Sequence, residues 1–120
     1  SFDTSKITNF SKVPTGAQSL LVTDAESLFS KCTDDPRVKP DAKVVIAQSN
    51  FVAIGLGCDG GGLHYYGLND NKWTKLGSGA TGLDCAQVTK YKITQASLID
   101  YAPPTCTNFS SDGGSSTIPQ

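Results

Sequence analysis

This chain of 120 residues is short of the side chains on which acid–base and metal chemistry depend. It has one histidine, His64, one glutamate, Glu26, and no methionine, and its other acidic residues are all aspartates. A zinc site needs three or four protein ligands, which one histidine beside oxidised cysteines cannot supply. The sequence therefore predicts no metal and no cofactor, and it disfavours an enzyme without excluding one.

Long apolar runs and clusters of positive charge are also missing. No run approaches the ~20 apolar residues of a membrane-spanning helix. The formal net charge is −1 and no basic stripe is present, which disfavours a nucleic-acid partner. The length fits one domain. Only 38% of the residues are hydrophobic, so cross-links worth ~2–4 kcal/mol each would supply part of the stability.

Four widely spaced cysteines are the strongest positive signal: Cys32, Cys58, Cys85 and Cys106. None of them forms the two-residue spacing of a zinc or thioredoxin-type motif. An even number at wide spacing indicates two structural disulfides, which persist in oxidising compartments. We therefore expect a secreted or otherwise extracytoplasmic protein, surface-anchored or released after removal of an N-terminal segment.

The positions of the cysteines in predicted elements favour one pairing. Cys32 falls on the apolar face of a predicted helix, and Cys58 continues the inward face of a predicted strand, so we expect Cys32–Cys58. The second bond, Cys85–Cys106, would close a C-terminal segment that has few apolar residues of its own. The alternative is Cys58–Cys85 with Cys32–Cys106.

One helix is predicted near the N-terminus, over residues 24–32. Thr23 followed by Glu26 matches a capping box, the pattern that begins many helices. The apolar positions after it have helical spacing, which gives one face to bury: Ala25, Leu28, Phe29 and Cys32.

Alternating and β-branched residues predict an antiparallel meander after this helix. The sequence Asn69-Asp70-Asn71 is typical of a hairpin turn. We therefore expect an α+β fold, in which one N-terminal helix packs on a small β-meander. The domain would span 1–106, with a flexible polar tail over 107–120. The predicted strands are 43–48, 51–57, 63–68 and 72–76, and a short helix is predicted over 84–90.

An aromatic cluster on one hairpin is the candidate binding site. Tyr66 and His64 fall on one face of their strand, Tyr65 falls on the other, and Trp73 comes from the next strand. Asp59 lies in the adjoining glycine-rich loop. Exposed aromatic rings on a sheet bind glycans and protein partners. The competing interpretation is that Trp73 and one of the tyrosines are core residues and that the other tyrosine is an incidental surface residue.

Other motifs carry less weight. Residues 55–60 match G-x-G-x-x-G, but a strand rather than a helix is predicted to follow, which disfavours a nucleotide site. Asn9 and Asn108 each begin an Asn-Phe-Ser glycosylation sequence, which decides nothing about the source. A hydrolase using His64 with a nearby aspartate is the alternative to a binding module, and a secreted inhibitor or toxin is a third.

The stretch from Val44 to Cys106 resembles small extracytoplasmic domains of unknown function in actinobacterial secreted proteins and lipoproteins. The resemblance rests on an Asn-Asp-Asn-Lys-Trp turn ending at Trp73, followed by Gly-Leu-Asp-Cys ending at Cys85 and by Cys106. This chain has Thr94 where such domains carry a proline. The resemblance implies a non-catalytic domain at the cell envelope. We therefore expect a monomeric binding module for a glycan, an envelope component or a protein at the cell surface.

Overall fold

The computed structural model describes residues 2–32, 37, 39–58, 61–79 and 82–120, and it has an α+β fold. Two helices, six strands and three short 3-10 turns lie in these residues. The helices are α1 (Thr15–Lys31) and α2 (Cys85–Tyr91). The strands are β1 (Pro40–Gln48), β2 (Phe51–Cys58), β3 (Gly62–Asn69), β4 (Lys72–Gly79), β5 (Thr105–Thr107) and β6 (Ser115–Thr117). The 3-10 turns are Thr4–Lys6, Phe10–Lys12 and Gln95–Ser97.

Strands β1 to β4 form the antiparallel meander that the sequence predicts, each paired with the next along the chain. Asp70 and Asn71 join β3 to β4 with φ angles of 52° and 62°. Asp and Asn tolerate this left-handed region, and two such residues in succession make the tight turn that suits the twist of a hairpin. Local turn chemistry therefore sets the register of this hairpin.

Both faces of the four-stranded sheet are covered. Leu21 of α1 packs with Val52, Ile54 and other side chains on one face. Residues from α2 and from the C-terminal segment, including Tyr91 and Ile118, cover the other face. Strand β2 is therefore buried on both sides, which explains its nearly continuous apolar sequence.

Helix α1 begins much earlier than the capping box predicts. Its first residue is Thr15, after Pro14, so that Thr23 and Glu26 lie inside the helix. The Thr23 hydroxyl donates to the carbonyl of Ser19 at 2.9 Å, a bond inside the helix rather than a cap. The predicted start is therefore wrong, because packing of a longer buried stripe against the sheet outweighs the local capping pattern. That stripe is Ala17, Leu21 and Ala25.

The segment after residue 107, expected as a flexible polar tail, contains β6 and a buried side chain. Strand β6 pairs with β5, and Ile118 is fully buried. Gln95 fixes the end of this segment, since its Nε2 donates to the Ile118 carbonyl at 2.8 Å and its backbone N–H to the Pro119 carbonyl at 2.7 Å. Residues 115–118 therefore belong to the folded domain, and the mobility of the exposed residues around them stays a prediction.

Both predicted disulfides are confirmed. Cys32–Cys58 joins the end of α1 to the end of β2, with 5.5 Å between the Cα atoms. Cys85–Cys106 joins the first residue of α2 to β5, with 5.0 Å between the Cα atoms. The first bond therefore attaches α1 to the four-stranded sheet, and the second joins two parts of the cover on the other face. No helix in the described residues is long and apolar enough to cross a membrane.

Candidate functional site

The two tyrosines of the predicted binding surface are core residues. Tyr66 has no exposed surface and Tyr65 is 7% exposed. The Tyr66 hydroxyl donates to the carboxylate of Asp24, and burial and this carboxylate raise the pKa of Tyr66. The Tyr65 hydroxyl donates to the carbonyl of Gly82, and burial above all raises the pKa of Tyr65 to about 12. The expectation that Tyr66 is exposed for binding is therefore wrong, because both faces of its strand are covered.

The two other predicted site residues that the structure describes, His64 and Trp73, do not form an exposed surface with Tyr65 and Tyr66. Trp73 is partly buried against the first turn of α1, where a Cβ atom on Gly16 would lie 2.7 Å from its Cδ1. Asp59 lies outside the described residues. His64 shares the α1 face with Tyr66 and is partly buried. Of the predicted set, only His64 and Trp73 are thus partly exposed among the described residues.

No catalytic triad forms around His64 among the described residues. The Nδ1 atom of His64 is buried and has no hydrogen-bond partner in the described residues. Burial lowers the pKa of His64, and the positive charge of Lys75 lowers it further, against an opposing effect of Asp24. The Asp24 carboxylate is occupied by Tyr66 and by Lys75, whose Nζ lies 3.1 Å from Oδ2. A triad aspartate would instead accept from the histidine and orient it.

A groove of about 460 Å³ lies between α2 and the β5–β6 hairpin, on the opposite side of the sheet from His64. We call it the α2–β6 groove. Its floor is apolar and includes the second disulfide: Cys85, Val88, Ile93, Cys106 and Pro119. Its rim is polar: Thr89, Lys92, Thr94, Asn108, Ser116 and Thr117. A concave apolar floor with a few polar groups around it is the usual form of a ligand site.

Capping interactions position the helical wall of the groove. Asp84 caps the start of α2, since its Oδ1 accepts from the N–H of Ala86 at 3.0 Å. Lys92 ends the helix in the left-handed conformation with φ of 54°, and its N–H bonds back to the carbonyls of Val88 and Thr89. The backbone of both ends of α2 is therefore fixed, and Lys92 leaves the helix at the rim.

The opposite wall is the β5–β6 hairpin. The N–H of Thr107 donates to the carbonyl of Leu83 at 2.8 Å, which places β5 beside the residues that precede α2. The Asn108 side chain donates to the carbonyl of Gly114 at 3.1 Å and to Oγ of Ser116 at 3.0 Å. Because Ser116 Oγ accepts this bond, its own proton is available to a ligand.

The chemistry of the groove suits binding rather than acid–base catalysis. None of the described residues that line it is histidine, aspartate or glutamate. No group of three or more potential metal ligands occurs in the described part of the chain. The groove offers hydroxyl groups, an amide and one ammonium group around an apolar floor, which can hold a ligand in a defined orientation.

Sequence reasoning missed this groove because three separate segments form it: 85–94, 106–108 and 116–119. None of the three carries a ligand-binding motif, and the glycosylation sequence that begins at Asn108 does not indicate a groove. The one available signal was the predicted bond Cys85–Cys106, which brings the first two segments together. The third segment was hidden, because 107–120 was expected to lie outside the domain.

No protein-family model, curated protein or solved structure matches this chain.

Proposed function

We propose that the domain is a non-catalytic extracytoplasmic binding module and that its ligand occupies the α2–β6 groove. The observation that carries this proposal is the groove itself, about 460 Å³ in volume, with an apolar floor and polar groups at its rim. Pockets of roughly 300–1,000 Å³ with this composition hold small ligands or side chains of a partner.

Two features support an extracytoplasmic location. All four cysteines are joined in disulfides, which persist in oxidising compartments. The resemblance of residues 44–106 to actinobacterial secreted and lipoprotein domains favours the same location. Three classes of partner then remain: a glycan, an envelope component and a protein at the cell surface.

The alternative of a hydrolase has less support. The only histidine in the sequence, His64, lies on the α1 face of the sheet, whereas the groove lies on the other face. Asp24, the carboxylate that affects His64, already accepts from Tyr66 and Lys75. No described feature favours an inhibitor or toxin over a binding module.

The test is a titration of the ¹⁵N-labelled oxidised protein with neutral oligosaccharides, short peptides and the neutral detergent octyl glucoside, followed by amide chemical shifts. We expect at least one probe to give saturable shifts in α2 and β5–β6. Thr89→Trp would fill the groove from an exposed helical position and abolish these shifts. Thr23→Trp, at an exposed position on α1, is the matched control and should leave them intact.

Two results would overturn the proposal. One is that no probe shifts the groove amides, or that Thr89→Trp leaves the shifts unchanged. The other is turnover of a probe that is lost in His64→Gln, which would establish the hydrolase instead.

A further inference from the structure

We infer that the ligand of the α2–β6 groove is an aliphatic carboxylate, a fatty acid whose chain lies on the apolar floor and whose carboxylate meets Lys92. This inference rests on the proposed function, and it names the ligand of that same site. Three observations carry it: the aliphatic floor, the hydrogen-bond donors at the rim and the position of Lys92, the one charged side chain among the described lining residues.

The floor suits an aliphatic chain better than a sugar. Val88, Ile93 and Pro119 line it together with the Cys85–Cys106 disulfide. No tyrosine, tryptophan or phenylalanine is among the described lining residues. A sugar ring commonly packs on an aromatic face, whereas an aliphatic chain gains from any apolar area removed from water.

The rim offers donors and no anionic acceptor. The ammonium group of Lys92 only donates, and the Ser116 hydroxyl has a free proton because its oxygen accepts from Asn108. The hydroxyls of Thr89 and Thr94 make no hydrogen bond to other described residues, so they too can donate. A carboxylate accepts several such bonds, and bonds to an ionised acceptor are stronger than neutral ones. Charge complementarity therefore favours an anion at this rim.

Lys92 is held where it can meet a head group. Its backbone closes α2 through bonds to Val88 and Thr89, and its side chain is exposed at the rim and makes no ion pair with a described residue. A helix C-terminus would normally repel an anion. Here the Tyr91 carbonyl accepts from Gln48 Nε2 at 2.7 Å and from Asn50 Nδ2 at 3.2 Å, which neutralises part of that effect.

The test compares decanoate with decanol, which has the same chain and a neutral head group, by calorimetry and amide shifts on the oxidised protein. We expect decanoate to bind in the groove about tenfold more tightly than decanol, the size of one charge-assisted contact. Lys92→Gln should weaken decanoate binding about tenfold and so remove the preference for decanoate over decanol. Lys90→Gln, an exposed lysine on the same helix that does not line the groove, is the matched control.

The outcomes separate this inference from the proposed function. The inference of an anionic ligand is wrong if decanoate and decanol bind the groove equally, or if Lys92→Gln and Lys90→Gln have the same effect. The proposal that the groove is a binding site stands in either case. If only the neutral oligosaccharides or peptides shift the groove, the ligand class is wrong and the binding module stands. If nothing binds the groove, both fail. Decanoate could instead change amide chemical shifts over the whole protein, or change them equally in the Thr89→Trp variant. Either result would also count against the inference.

Discussion

At the scale of single residues, the polar groups under α1 are the most constrained. The Tyr66 hydroxyl is fully buried and donates to Asp24, which satisfies a group that would otherwise be costly to bury. Lys75 completes the group through its ion pair with Asp24. His64 lies beside this group with its Nδ1 unpaired in the described residues. The neutral form of the His64 side chain is favoured at this site, because protonation would place a second positive charge beside Lys75.

We therefore predict that stability falls as the pH drops below about 6.5, the ordinary pKa of histidine. The folded pKa of His64 lies below that of the unfolded chain, mainly because of burial. The unfolded state then binds the proton first, so acidification favours unfolding. The measurement is the urea midpoint of the oxidised protein between about pH 7.5 and about pH 5, the range in which a histidine of the unfolded chain changes charge.

The control is His64→Gln, which keeps a polar side chain and cannot titrate. Its midpoint should change less over this pH range than that of the unmodified protein. Asp3 also has a lowered pKa, mainly because of its hydrogen bonds with Ser5. The carboxyl group of an aspartate changes charge at a lower pH than histidine does, so Asp3 does not account for a change in this range. An equal decline in His64→Gln would show that other groups cause the acid sensitivity.

At the scale of elements, the side chain of Tyr91, the last residue of α2, lies directly against Gly67 of β3, and the glycine makes this contact possible. A Cβ atom on Gly67 would lie 2.6 Å from Cζ and from the hydroxyl oxygen of Tyr91. Tyr91 is held in place by Asn69, whose Nδ2 donates to its hydroxyl at 2.9 Å, and by packing on Phe51. Helix α2 forms one wall of the groove, so this close approach also sets the position of the candidate site.

We predict that Gly67→Ala destabilises the domain by about 1–3 kcal/mol, because it overpacks a buried contact with an aromatic ring. Gly55→Ala is the matched control in β2, where the added Cβ would meet the Lys43 carbonyl at an ordinary 3.8 Å. The control should stay within about 0.5 kcal/mol of the unmodified protein in urea unfolding. If the two variants are equally stable, Tyr91 can move without cost, and the contact does not position α2.

At the scale of the whole molecule, two covers lie on opposite faces of one sheet and each contains one disulfide. Cys32–Cys58 fixes α1, whereas Cys85–Cys106 ties α2 to the C-terminal hairpin. The bonded cysteines are separated by 26 and 21 residues, so chain entropy predicts a similar contribution from each, about 3 kcal/mol. Their structural roles differ, because only the second bond forms part of the groove.

We predict that Cys85→Ala with Cys106→Ala costs about 2–5 kcal/mol and exposes the amides of β5 and β6 to hydrogen exchange before those of the meander. Groove binding should be lost with it. The matched control is Cys32→Ala with Cys58→Ala, which should cost a similar amount and leave the protection of β5 and β6 close to that of the meander. Unchanged exchange of β5 and β6 in the first variant would show that hydrogen bonds and Ile118 suffice to hold this segment.

The sequence by itself determined the elements whose signals are local. Period-two alternation and the Asp70-Asn71 turn predicted the meander, because strand and turn preferences act over a few neighbouring residues. The faces on which Cys32 and Cys58 lie favoured their pairing, while Cys58–Cys85 with Cys32–Cys106 stayed open. The α+β class and two disulfides were therefore predicted from local signals, whereas the start of α1 at Thr15 was not.

Only the tertiary structure decided what covers each face of the sheet. Alternation placed Tyr65 and Tyr66 on opposite faces correctly, but it could not show that both faces are covered. The alternation along a strand indicates which side chains share a face, whereas their burial depends on which other elements pack against that face. Ile118 is one apolar residue in a polar segment, so no periodic pattern marked it as core. The α2–β6 groove, built from segments far apart in the chain, exists only because Ile118 and the Cys85–Cys106 bond bring the hairpin against α2.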